Sequence, residues 1–79
     1  MSKNKMKIVF IGGGNMATAM ISGMLQQGYA ADQLRVVEID EKQREKFRQT
    51  WAIAAFPDVE EGINGSNIIV LAVKPQQLF

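Results

Sequence analysis

Two uninterrupted apolar runs, Ile8-Val9-Phe10-Ile11 near one end and Ile68-Ile69-Val70-Leu71-Ala72-Val73 near the other, limit this chain more than any other feature. Neither alternates apolar with polar residues, so neither suits a strand with one wet face. Each reads as a strand covered on both sides, which demands layers above and below a sheet. The first strand is expected from Lys7 to Ile11, where Gly12 ends it. From Asn15 to about Gln27 the periodicity turns helical. Met16, Met20 and Met24 form one i,i+4 row, and Ala17, Ile21 and Leu25 form the next. The methionines are expected as core filler, and Gly28 sits where a left-handed helix cap belongs.

The rest of the chain repeats the alternation. Leu34 to Ile39 reads as a second strand, with Asp40 capping a mostly charged helix from Glu41 to Trp51. Phe47 and Trp51, four apart, are its inward stripe. Ile53 to Phe56 is expected as a short third strand. Pro57 suits the first position of a third helix, and Asp58, Glu60 and Glu61 favour that end. Val59 and Ile63 are expected to face inward, with Gly65 as the stop. Asn67 to Val73 is then the fourth strand, ended by Pro75, and its continuous apolar run is typical of a central parallel strand. Strands joined by helix-length crossovers imply a parallel sheet with right-handed connections. The expected fold class is α/β, a Rossmann-type βαβαβαβ sheet in the order 3-2-1-4 with the first strand central.

Composition removes whole classes of function. Nine basic and eight acidic residues give a net charge of +1, which argues against nucleic acid or an anionic membrane as the main partner. The chain has no cysteine and no histidine. Disulfide frameworks, thiol catalysis, the usual zinc sites and Ser-His or Cys-His relays are therefore excluded, and no metal site is expected. Chemistry must come from a bound cofactor or from residues beyond position 79. Lys3, Lys5 and Lys7 before an apolar run superficially resemble an export signal, but four apolar residues fall short of the ~7–15 such a core needs. Nothing approaches the ~20 apolar residues of a membrane span. Asn64-Gly65-Ser66 has the form of a glycosylation acceptor, which means little without an export route. A soluble, cytoplasmic protein is expected. Seventy-nine residues make one small domain that buries only ~60% of its unfolded surface.

Gly12-Gly13-Gly14-Asn15-Met16-Ala17 fits the dinucleotide fingerprint G-x-G-x-x-G/A. Gly12 makes the tight turn out of the strand, Gly14 lets the backbone approach a pyrophosphate, and Ala17 lets helix and strand pack closely. The helix start then offers unpaired N–H groups to phosphates. Glycines also make ordinary turns, so the context carries the weight: a strand before the loop, a helix after it, and a carboxylate on the next strand. That carboxylate is Glu38, 21 residues past Ala17, near the ~20 expected of a ribose-binding acid. It favours NAD by repelling a 2′-phosphate, whereas Lys42 and Arg44 either reach such a phosphate or form a solvated, charge-paired helix face. NAD and NADP both stay open. Lys74, at the carboxyl end of the fourth strand, either faces the cofactor or is a surface lysine, and Pro75 stiffens the turn there. Asp32, Asp40 and Asp58 fall in expected turns or caps, so no catalytic acid can be named.

Ile11-Gly12-Gly13-Gly14-Asn15-Met16-Ala17, with Leu71-Ala72-Val73-Lys74-Pro75-Gln76 about sixty residues on, resembles the start of the pyrroline-5-carboxylate reductases. The likeness runs from Lys7 to Leu78. It implies an oxidoreductase of proline biosynthesis that passes a hydride from NAD(P)H to a cyclic imine. It also implies that residues 1–79 are a truncated N-terminal NAD(P)-binding domain, about the first third of the enzyme. A helical C-terminal domain, absent here, would dimerise the subunits into a homo-oligomer and complete the substrate pocket. Cofactor contacts carry over onto Gly12 to Ala17, onto Glu38 at the ribose, and onto Ala72 to Pro75 beside the nicotinamide. Two positions depart from the family pattern. NADPH-preferring members often have a small hydroxyl residue where this chain has Glu38, and an asparagine of the adenosine site falls at Val59 or nearby. The glycine loop alone also resembles other β-hydroxyacid-dehydrogenase-like proteins, such as hydroxyisobutyrate or coenzyme F420-dependent types. A non-catalytic dinucleotide-binding module is the reading from another class.

Overall fold

The computed structural model describes residues 6–72. Strands β1 (Ile8–Ile11), β2 (Leu34–Val37), β3 (Ala54–Phe56) and β4 (Ile68–Leu71) form one parallel sheet in the order β3-β2-β1-β4. Helices α1 (Asn15–Gln26), α2 (Glu41–Trp51) and α3 (Val59–Ile63) make the crossovers. The expected order and class are therefore what the chain adopts. Phe10 on the central strand stands opposite Val36 on one side and Val70 on the other.

One face of the sheet carries Ile8, Phe10, Leu34, Val36 and Ala55, which pack with Ala17 and Ile21 of α1 and Phe47 of α2. The large side chains among them contribute about 1.5–3 kcal/mol each on full burial. Val9 and Val37 point the other way, toward Gly62 of α3. Arg35 shares that side, and its Nη1 donates to the carbonyls of Gly62 and Asn64 at the end of α3. A cation there suits the negative end of the helix.

Several expected details shift, each for a local reason. Strand β2 stops at Val37 rather than Ile39, because the carbonyls of Glu38 and Ile39 accept from Arg44 Nη1 at 2.8 and 3.0 Å. Strand β3 starts at Ala54 because Ala52 is left-handed (φ 59°) and Ile53 N still bonds Phe47 O. The methionine row is not the core of α1. Ala17 and Ile21 are fully buried, Met20 and Met24 flank them half-buried, and Met16 is 45% exposed. A small residue at 17 brings the helix down on its Ala17–Ile21 line and leaves the longer row at the margin. Pro57 does not open α3; Asp58 is its N-cap, accepting from Glu61 N at 3.0 Å. Val59 is exposed, and Gly62 meets the sheet instead.

Other expectations hold. Asp40 caps α2 by accepting from Lys42 N at 3.0 Å, and the rings of Phe47 and Trp51 lie 5.8 Å apart. Gly28 (φ 107°) ends α1, with Tyr29 N donating to Met24 O and Gly28 N to Leu25 O. That pair of bonds is the Schellman closure. Strand β4 is apolar on both faces, but it stands at the edge of the described sheet with Ile69 and Leu71 exposed. Val73 lies outside the described residues. Among those residues, no helix is long and apolar enough to cross a membrane.

Two substitutions test this packing. A Cβ at position 62 would overlap the Val37 side chain, so Gly62→Ala should lower stability by about 1–3 kcal/mol in denaturant unfolding. Relieving the left-handed alanine by Ala52→Gly should raise it by about 0.5–1 kcal/mol in the same experiment.

Candidate dinucleotide-binding site

The carboxyl ends of the parallel strands open into a cleft of about 590 Å³. That is within the ~300–1,000 Å³ usual for small-molecule sites. The glycine loop, residues 12–14, forms one side, and Val37 to Ile39 and Pro57 to Val59 form the others, with Ala72 also in the lining.

The loop is shaped residue by residue. Gly12 leaves β1 at φ 101°, a conformation that side chains resist, while its N–H still donates to Val37 O at 2.9 Å. Gly14 is the N-cap of α1, and a Cβ built on it meets nothing within 4 Å. Its open face is the space a phosphate needs for close approach. Asn15 and Met16, exposed, and Ala17, fully buried, form the first turn. The first N–H groups of any α-helix lack partners within it. In α2 and α3 an aspartate side chain caps that end, and acidic residues occupy the first turn. In α1 there is no side-chain cap and no acid in the first turn. The residues thus fit a bound anion, and with the cleft beside them they fit a dinucleotide.

Gly13 was expected only as a member of the loop, and the structure gives it a packing task. It is buried, and a Cβ there would stand 3.0 Å from Glu38 Cβ, Glu38 Oε1 and Phe47 Cε2. Its N–H donates to Glu38 Oε1 at 2.7 Å, and Asp40 N donates to Glu38 Oε2 at 2.9 Å. Glu38 therefore lies against the loop, as its spacing suggested, but already engaged by backbone. Arg44 is half-buried, and its Nη1 donates to the two carbonyls after β2. Lys42 stays exposed.

Ala72 is buried, bonded through its N–H to Ile11 O at 2.9 Å, and borders the cleft. Lys74 and Pro75 lie outside the described residues. Sequence reasoning missed Ile39 and Pro57 as lining residues. Ile39 is 85% exposed at the cleft mouth, where periodicity had assigned it to a strand. Val59, matched by resemblance to an adenosine contact, does line the cleft. Among the described residues no group of three or more candidate ligands could hold a metal ion.

Comparison with known proteins gives a consistent set of relatives. Residues 7–79 match the family described as NADP oxidoreductase coenzyme F420-dependent. The pyrroline-5-carboxylate reductase of Haemophilus influenzae is 42% identical over 71 residues, covering 90% of this chain and 26% of its own length. That of Pasteurella multocida is 39% identical over 74 residues, covering 90% and 27%. A solved pyrroline-5-carboxylate reductase from Coxiella burnetii superposes with a TM-score of 0.87 at 32% identity, over 95% of this chain and 28% of that one. The chain thus spans about a quarter of the length of these relatives.

Neighbouring glycines should respond oppositely to substitution. Gly13→Ala should cost about 1–3 kcal/mol of stability by overpacking against Glu38 and Phe47. Gly14→Ser, which supplies a hydroxyl cap in open space, should leave stability equal or up to about 0.5 kcal/mol higher. Thermal unfolding of the two variants checks the contrast.

Proposed function

The chain belongs to the NADP oxidoreductase coenzyme F420-dependent family, and we propose that it is the dinucleotide-binding part of a pyrroline-5-carboxylate reductase. The observation that carries the reading is the uncapped start of α1 at Gly14, opening onto the cleft. The relatives' names and the Coxiella burnetii structure support it. The cofactor is NAD or NADP, with Gly12 to Ala17 at the pyrophosphate, Glu38 at the adenosine ribose and Ala72, Lys74 and Pro75 toward the nicotinamide. When bound, the nicotinamide would supply a hydride for the C=N carbon of a small cyclic imine, whose nitrogen takes up a proton from solvent, giving L-proline. The chain's own part is to hold and orient: helix α1 receives charge, and the strand ends around the cleft position the bound group.

Residues 1–79 are, in this reading, the incomplete N-terminal domain of a cytoplasmic, homo-oligomeric enzyme. Dimerisation and the substrate pocket belong, in the same reading, to a helical C-terminal domain. The family's own description favours a second reading, an NADP oxidoreductase acting with coenzyme F420.

Assays of the full-length protein separate the two. Oxidation of NADH or NADPH that depends on pyrroline-5-carboxylate supports the first; activity only with coenzyme F420 replaces it. Gly14→Val should weaken dinucleotide binding at least about tenfold while leaving helical content intact, since open space at Gly14 is what the pyrophosphate uses. Unchanged affinity in calorimetry would remove the site. Glu38→Ser should raise the NADPH/NADH ratio of kcat/KM by removing repulsion of the 2′-phosphate; a ratio that does not rise means another residue sets the choice.

A further inference from the structure

We propose that Glu38 is the positioning residue of the glycine loop, its carboxylate fixing the pyrophosphate cradle before any cofactor arrives. The proposal rests on the reading of the cleft as a dinucleotide site and adds a second task to a residue assigned there only to the ribose.

Three observations carry it. Glu38 Oε1 accepts from Gly13 N at 2.7 Å and Oε2 from Asp40 N at 2.9 Å, so one carboxylate ties the loop after β1 to the turn after β2. Bonds from an N–H to an ionised acceptor are among the stronger ones in proteins. The absence of a side chain at Gly13 is what admits the carboxylate, since a Cβ there would press on Glu38 Cβ and Oε1 at 3.0 Å. The main chain of Glu38 is held as well, its carbonyl accepting from Arg44 Nη1 at 2.8 Å.

Specificity follows from the same contacts. A carboxylate offers about four acceptor positions, and the two backbone bonds use two. Ribose hydroxyls can donate to the others with the clamp intact. A 2′-phosphate instead meets a negative charge that cannot swing aside without releasing Gly13. Discrimination between cofactors and order in the loop are then one mechanical property. Removing Glu38 relieves the repulsion and loosens the cradle together.

Hydrogen exchange at single-residue resolution on the full-length, cofactor-free protein tests this, with NADH titrations of the same samples. The series is wild type, Glu38→Gln and Glu38→Ala. The Gly13 amide should exchange about tenfold or more faster in Glu38→Ala, as expected for loss of a charged acceptor. Glu38→Gln, which keeps one oxygen acceptor, should fall between. The Ala72 amide, bonded to Ile11 O within the sheet, should not change and so reports that each variant is folded. NADH affinity should fall in the same order as Gly13 protection. Equal Gly13 exchange in all three proteins, or a glutamine variant indistinguishable from alanine in both readouts, overturns the proposal. A wild type that binds neither NADH nor NADPH overturns the dinucleotide reading, and Gly13 exchange still decides whether Glu38 holds the loop.

Discussion

Strand β1 has no face left for water. Val9 and Phe10 are buried to 0% and 1% exposure, pointing to opposite sides of the sheet, and both edges of the strand are paired. A strand enclosed this way needs helices on both faces, and a chain can deliver them only through crossovers between parallel strands. Helices α1 and α2 cover the Phe10 side, and α3 covers Val9. The reversal of direction that puts α3 on the other face occurs beside β1. A crevice at the carboxyl end of the sheet follows from that reversal. The position of the site is therefore a consequence of covering one strand.

Close layers require small residues at the crossings. Ala17 on one face and Gly62 on the other are both buried, and each sits where the helix comes nearest the sheet. Gly13 performs the same service between the loop, Glu38 and Phe47. In an isolated helix, Gly62 would only weaken α3 by about 1 kcal/mol relative to alanine. Its value is tertiary, and α3, at five residues, exists through its capping and its seat on Val37 rather than by propensity. Arg35 completes that seat by bonding the carbonyls at the helix end, which is why a strand can carry a cation in its middle.

What was legible in the sequence is what depends on neighbours in sequence. The apolar runs, the Asp40 cap, the Gly28 closure and the strand-loop-helix setting of Gly12 to Ala17 are local patterns, and local chemistry fixed them. Met20 and Met24 pack against the core as expected, but Met16 does not, because periodicity defines an apolar face and not the line along which a helix touches a sheet; Ala17 decided that. Pro57 misled because proline and aspartate both suit a helix start, and the side-chain bond from Asp58 prevailed. The commitment of Arg44 to two carbonyls depends on where β2 turns out of the sheet, which no spacing encodes. Ile39 looked like strand for the same reason. Residues of the cleft wall come from four separate stretches of the chain, so only the assembled fold brings them together.

The three helix starts show where stability and reception of a ligand part ways. Aspartate caps such as Asp40 and Asp58 are worth about 1 kcal/mol each, and each satisfies a backbone N–H while placing negative charge at the positive helix end. The start of α1 forgoes both benefits, with a glycine at the cap and no acid in the first turn. An aspartate at Gly14 would close the helix and, in the proposed reading, fill the open space with the charge a phosphate would bring. The stabilisation missing there is the part of the interaction that remains available to an incoming anion. Glu38 limits what that omission loosens, because its carboxylate holds the loop from the side at Gly13 while leaving Gly14 bare. The bond that steadies the loop and the open space beside it thus fall at Gly13 and Gly14, one position apart.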